Sequence, residues 1–283
     1  MRVWVVGSGT LIPNGWRGGA AHWVDVGASS ILLDCGPGTI RTLAMLGLPW
    51  ESLDHLLVTH FHTDHVADVA PLLFALKHAS TRDREKPLDL LGPPGLIRHL
   101  TALAEAHGSF ILDPGFPVRI HEVIPGADWQ DSHTGILVRT FPTRHTPQSL
   151  AVRVESQGDF LGYTGDTGPL EGMGSFFRGC GILIAECSHP DGKELDTHLS
   201  PGRLAAMAGR ACPELLVTVH VYPPLLPGKI PGLLADAGYS GRVLPGWDGL
   251  GLDLSGGEIR EMDPPEITES RIGPKGTDSG TLT

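Results

Sequence analysis

The sequence predicts an α+β fold, a four-layer αββα sandwich in which two mixed sheets pack face to face with helices outside. Three observations point to it. Short β-branched and aromatic runs recur along the chain, stretches of helical apolar spacing are interposed between them, and this scheme occurs twice, once in each half. At 283 residues the chain is long enough for a sizeable core. One domain over residues 1–262 is expected, followed by a mobile tail over 263–283 that is rich in Pro, Gly, Ser, Thr and charge.

Up to about Asp34, runs such as Trp23-Val24-Asp25-Val26 and Ser30-Ile31-Leu32-Leu33-Asp34 alternate with Gly-rich turns and read as antiparallel strands. Residues 39–48 have helical apolar spacing. His55-Leu56-Leu57-Val58-Thr59 is a short apolar run, as expected of a strand buried on both faces. Helices are predicted at 66–77 and 95–107 around a strand at 88–91. The later half predicts strands at 118–123, 135–141, 150–155, 160–164, 181–185 and 214–219, with a helix at 201–211 that opens on proline.

A net charge of −11 with no Lys/Arg run disfavours a long nucleic-acid partner. Cys35, Cys180, Cys187 and Cys212 lack C-x-x-C pairing, which fits a reducing compartment and indicates neither disulfides nor a thiolate zinc site. No apolar run reaches the roughly 18 residues needed to span a bilayer, and residues 1–7 read as a strand rather than a signal peptide. A cytoplasmic protein with no membrane contact is expected. The 14 histidines exceed ordinary usage, and several stand beside acidic residues or glycines at expected strand ends. That excess asks for a metal.

Thr59-His60-Phe61-His62-Thr63-Asp64-His65 holds an H-x-H-x-D-H pattern directly after a core strand. In an extended segment alternate residues share a side, so His60 and His62 can share one metal, while the turn beyond lets Asp64 and His65 reach a second. Imidazole nitrogen and carboxylate oxygen bind zinc at roughly 2.0–2.2 Å, so the groups must converge tightly.

Together with Gly7-Ser8-Gly9-Thr10, Pro13, Asp34-Cys35-Gly36-Pro37-Gly38-Thr39, Leu91-Gly92-Pro93 and Tyr163-Thr164-Gly165-Asp166-Thr167, this cluster resembles the metallo-β-lactamase superfamily. The likeness is to its RNase Z-like and cyclic phosphodiesterase branch, over about residues 1–249. The resemblance implies the metallo-β-lactamase fold and a two-zinc site, with manganese or iron as alternative ions. It makes His145 the third histidine on the first metal, Asp166 the bridge between both, and His220 the group completing the second. The implied ligand set is His60, His62, Asp64, His65, His145, Asp166 and His220. A carboxylate can bridge because its oxygens offer about four lone-pair sites, and metals roughly 3.5–4 Å apart hold a hydroxide between them. Asp34 is expected either to accept a ring N–H from a ligand histidine or to shape the turn before Gly36.

In the RNase Z-like branch a histidine at the place of His198 is not a ligand. With an acidic partner, matched here by Glu186, it protonates the leaving oxygen. Asp64, His198 and Glu186 are thus the expected catalytic residues, with His189 competing for the acid's role. Two departures from RNase Z follow. That family usually carries a basic arm, in many members between the third histidine and the bridging Asp, yet only about twenty residues separate His145 from Asp166. Pro37 stands where the tRNA enzymes commonly have an acidic residue. The cysteine-rich extra zinc site of some cyclic phosphodiesterases is also missing.

The expected function is hydrolysis by a catalytic domain at 1–262, a dizinc phosphodiesterase acting on small or cyclic phosphodiesters through a metal-bridging hydroxide. A homodimer is left open. The alternatives are tRNA 3′ processing, or hydrolysis of an ester, sulfate or lactone at the same dizinc site. A sensor without turnover is opposed by the full ligand set, and a diiron redox protein by the lack of a flavodoxin-like partner domain.

Overall fold

A computed structural model describes residues 1–79, 84–255 and 258–265. Along β1 (Arg2–Gly7), Val3 and Val5 belong to one apolar cluster while Trp4 and Val6 belong to another. Side chains alternate along a strand, so β1 is buried on both faces and separates two cores.

Its neighbours repeat the division. The first sheet adds β2 (Ala21–Val26), β3 (Ser29–Leu33), β4 (His55–Leu57), β5 (Leu88–Gly92) and β6 (Val118–Glu122), with α1 (Thr39–Met45), α2 (Thr63–Val66), α3 (Val69–His78) and α4 (Leu96–His107) between them. Leu32, Leu56 and Leu90 pack on the helices, while Ile31, Leu33, Leu57 and Leu91 face the second sheet. That sheet holds β7 (Asp128–Gln130), β8 (Leu137–Pro142), β9 (Leu150–Ser156), β10 (Asp159–Tyr163), β11 (Ile182–Glu186), β12 (Leu215–Val219) and β13 (Val243–Pro245). In β11, Ile182 and Ile184 meet the first sheet, whereas Leu183 and Ala185 meet α5 (Met173–Phe176), α6 (Pro201–Ala211) and α7 (Ile230–Asp236). Each fully buried Val, Leu or Ile contributes about 1.5–3 kcal/mol over exposure, so this face assignment fixes strand register.

β14 (Gly251–Ser255) and β15 (Glu258–Met262) return to the first sheet, whose order is β15-β14-β1-β2-β3-β4-β5-β6. The second runs β13-β12-β11-β10-β9-β8-β7. Both sheets are mixed, with β3 to β6 and β10 to β13 parallel and the other pairs antiparallel. The expected four-layer αββα sandwich is present. Parallel strands bring their carboxyl ends to one edge, where open α/β sheets bind ligands.

Local boundaries differ from expectation for identifiable reasons. The helix expected at 66–77 begins only at Val69, after the separate turn α2, because the Asp68 N–H donates to the Cys35 carbonyl at 2.9 Å instead of continuing the helical ladder from α2. The helix expected at 39–48 stops at Met45, before Gly47 at φ 62°. The short β7 and β13, the closing strands β14 and β15, and the short helices α5 and α7 were not predicted. Most of the tail expected at 263–283 lies outside the described residues, beyond residue 265. No helix of the described residues is long and apolar enough to cross a membrane.

Candidate metal centre

The segments after β3, β4, β10 and β12 carry Asp34, the run His60 to His65, Asp166 and His220, and β11 ends on Glu186. Backbone hydrogen bonds pin them together. Ala20 N–H donates to the Asp64 carbonyl at 2.9 Å, Cys35 N–H to that of His65 at 2.7 Å, and His220 N–H to that of Ser8 at 3.0 Å. The approach is close enough to require glycine at 36, where a Cβ would stand 2.0 Å from the Asp64 carbonyl oxygen. Asp34 and His220 hold left-handed φ values of 59° and 55°. Such conformations cost of order 1–3 kcal/mol outside glycine and gather at functional sites.

Two groups of side chains converge. His60, His62 and His145 bring one ligand atom each within 4.8 Å of one another, and so do Asp64, His65 and His220. Asp166 stands between them. Its Oδ2 lies 4.0 Å from His60 Nε2 and 3.7 Å from His145 Nε2, while Oδ1 lies 3.4 Å from His65 Nε2 and 3.6 Å from His220 Nε2. Ligand atoms held at roughly 2.0–2.2 Å around one ion stand about 3–3.5 Å apart, so these spacings suit a cation in each group.

The outer ring nitrogens have partners. Nδ1 of His65 is 2.7 Å from Asp34 Oδ2, that of His60 is 3.1 Å from Thr59 Oγ1, that of His145 is 3.2 Å from the Thr197 carbonyl, and that of His220 is 3.1 Å from Ser188 Oγ. This leaves each of these Nε2 atoms to the interior, and the buried Nε2 atoms of His60 and His65 have no hydrogen-bond partner among the described residues. An orphaned buried nitrogen costs about 1–3 kcal/mol, a penalty that a coordinated ion removes.

Burial drives the His60 pKa well below its ordinary value and lowers that of His145, favouring the neutral ring that ligates metals. His65 goes the other way. Burial opposes its charge, but Asp166 and Asp34 on either side raise it well above the ordinary value. For Asp166, burial favours the neutral acid, and His220 and His65 outweigh it, holding the carboxyl well below the usual range.

Glu186 and His198 form a second arrangement beside this centre. Both Glu186 oxygens are 3.1 Å from His198 Nδ1, and the carboxylate also accepts the Thr167 N–H and the Ser188 hydroxyl. The His198 ring is 4.9 Å from that of His145 and 5.9 Å from that of His220. His198 also converges with His145 and Asp166, so it borders the ligand groups instead of standing apart. His189 stacks on Tyr222 at 5.0 Å and meets the edge of His198 at 5.6 Å.

All the residues singled out in the sequence are therefore gathered in one place. Four others were not foreseen. Thr59 donates its N–H and hydroxyl to Asp34, Tyr163 donates its hydroxyl to the same carboxylate at 2.7 Å, Ser188 links Glu186 to His220, and Tyr222 flanks His220. Thr59 and Tyr163 adjoin specific motifs, the one signal that could have found them.

Residues 29–221 match the beta-lactamase superfamily domain. The chain belongs to the metallo-β-lactamase superfamily. It is 32% identical over 250 residues to a ribonuclease Z of Mycobacterium sp. strain KMS, a match covering 81% of this chain and 87% of that protein. Among solved structures, the metallo-β-lactamase fold protein YhfI from Bacillus subtilis superposes with a TM-score of 0.77 at 21% identity, covering 88% of this chain and 98% of its own. The short form of human tRNase Z gives 0.67 at 24% identity, covering 78% and 93%. A metallo-β-lactamase superfamily chain with these His/Asp clusters is a divalent-metal-dependent hydrolase.

Proposed function

We propose that the chain is a two-zinc phosphodiesterase in which His60, His62 and His145 hold one ion, Asp64, His65 and His220 hold the other, and Asp166 serves both. The observation that carries this reading is the division of Asp166, one oxygen toward His60 and His145 and the other toward His65 and His220. When bound, two such ions lower the pKa of water and neutralise charge on phosphoryl oxygens. The residues of the chain orient and deliver protons. Asp34 fixes the ring of His65, Glu186 holds Nδ1 of His198, and His198 gives a proton to the departing oxygen, which an alkoxide needs.

Two considerations pull the substrate size in opposite directions. Between His145 and Asp166 the chain makes only the hairpin β9–β10, closed by Gln157 and Gly158 at φ 52° and 90°. With no inserted arm there and a net charge of −11, a small or cyclic diester is the first reading. The ribonuclease Z relatives favour RNA, so cleavage of precursor tRNA is the second.

Metal analysis joined to one substrate panel tests both. About two zinc ions per chain and turnover of bis-p-nitrophenyl phosphate above p-nitrophenyl acetate or sulfate are expected. Faster turnover of acetate or sulfate would reject the phosphodiesterase, and efficient cleavage of precursor tRNA at physiological salt would replace the small substrate with RNA.

A further inference from the structure

His198 belongs to residues 187–200, which run from the end of β11 to the start of α6 outside any helix or strand. Its backbone is therefore held by individual contacts instead of a ladder. The His198 N–H donates to the Leu195 carbonyl at 3.3 Å, closing a turn over 195–198. The residues on either side are committed to the metal centre. The Thr197 carbonyl is 3.2 Å from His145 Nδ1, and the Leu199 N–H donates to Glu186 Oε2 at 3.3 Å.

Arg203, in the first turn of α6, reaches back to this turn. Its Nη1 donates to the Leu195 carbonyl at 2.6 Å and to the His198 carbonyl at 3.4 Å. Its Nη2 lies 3.8 Å from Asp196 Oδ1, and the other oxygen of that carboxylate accepts from Arg144 Nη2 at 3.0 Å. A guanidinium offers its donors in a rigid fork, and its hydrogen bonds are charge-assisted. The Arg203 side chain is 28% exposed and that of Asp196 72%, so the hold lies in the carbonyl bonds more than in the ion pair, which water screens. The same turn packs on Gly168, where a Cβ would stand 1.7 Å from the Asp196 carbonyl oxygen. A grip from α6 and a contact this close leave the backbone of 195–198 little room to shift.

We propose that Arg203 is a positioning residue for the general acid: it grips the carbonyls of Leu195 and His198 from α6, and so sets where the His198 ring stands between Glu186 and the departing oxygen. The inference rests on the phosphodiesterase reading with His198 as the acid, and it adds the group that places that acid. A misplacement of about 1 Å can cost on the order of 10²-fold in rate. A displaced ring is a poor proton donor, so the leaving groups that need the proton suffer most.

Methyl phenyl phosphate and methyl p-nitrophenyl phosphate differ only in the leaving group. On the zinc-loaded chain, Arg203→Met should keep its zinc and lose about 10- to 100-fold in turnover of the phenyl ester, with little change on the nitrophenyl ester. It thereby follows the leaving-group dependence of His198→Ala in weaker form. Arg203→Lys, which keeps a charged donor without the fork, should recover part of the loss. In a His198→Ala background Arg203→Met should cost nothing further, because residues that act through one group are not additive. Zinc loss, no effect on either ester, a leaving-group dependence unlike that of His198→Ala, or a cost undiminished in the His198→Ala background would each overturn the positioning role. Amide hydrogen exchange over residues 195–199 reads the grip without a substrate and should be faster in Arg203→Met. A wild type that turns over neither ester rejects the phosphodiesterase while faster exchange still supports the hold on His198, and unchanged exchange rejects that hold alone.

Discussion

Glu186 presents both carboxylate oxygens to Nδ1 of His198, each at 3.1 Å. That contact fixes the ring from behind and leaves Nε2 to act. His198→Ala should therefore keep both ions while turnover of alkyl diesters falls by about 10²–10⁴-fold. The loss should shrink for p-nitrophenyl esters, whose leaving group departs without a proton. Because His198 also converges with His145 and Asp166, the decisive control is metal content. Loss of one ion would make His198 a ligand.

The same pair sets a pH dependence. Burial works against a charged His198, but the hydrogen bond and charge of Glu186 outweigh it and raise the pKa above the ordinary histidine value. A general acid works only while protonated, so turnover of alkyl diesters should decline as pH rises through that raised value. Glu186→Gln removes the charge and should move the alkaline limb to lower pH. A pH–rate profile with an unmoved limb would dissociate Glu186 from the acid.

Much of this centre was legible in the sequence because its chemistry is concentrated in short segments. H-x-H-x-D-H displays four of the proposed ligands within six residues, and the strand before it is a plain apolar run. His145 and His220 were not legible that way, since a lone histidine at a strand end carries no period or spacing, and only family resemblance assigned them. Thr59 and Tyr163 escaped because an outer-layer hydrogen bond to Asp34 is a fact of three-dimensional approach across two sheets. In the fold, most strands of five residues or more up to Val219 were predicted, whereas the three-residue β7 and β13 have too few positions to show a period, and β14 (Gly251–Ser255) was missed among the glycines that flank it. β15, Glu258–Met262, carries mainly polar residues.

Asp166 is the one proposed ligand facing both histidine groups, so Asp166→Ala should lose metal and activity together. Elemental analysis after desalting measures the first and bis-p-nitrophenyl phosphate turnover the second. Full occupancy with normal turnover would mean that Asp166 does not bridge.

Asp34 accepts from Thr59 twice, from Tyr163 and from His65, all within 2.9 Å. Asp34→Asn keeps the shape but removes the charge that orients the His65 ring. Zinc affinity should fall by about 10–100-fold in chelator competition. Tyr163→Phe, which deletes one of the four donors, should shift it in the same direction by less. Unchanged affinity in both variants would reduce Asp34 to a turn residue.

His22 supplies a test of stability rather than chemistry. It is fully buried, edge-on to Tyr163 at 4.7 Å, with neither ring nitrogen partnered among the described residues. Burial, with a smaller contribution from His65, drives its pKa down to about 3, from an ordinary value of 6.5. Between those values the unfolded chain binds a proton that the folded chain refuses. The stability linked to His22 is thus complete above the unfolded pKa and is lost as pH falls toward the folded one. His22→Phe removes the proton from both states and keeps the edge-to-face contact. Its unfolding free energy relative to wild type, both zinc-loaded, should rise by about 2 kcal/mol as pH falls from about 7 to about 5. A difference that stays constant with pH would mean that His22 finds a proton-accepting partner, a water or a shifted side chain, in the folded protein.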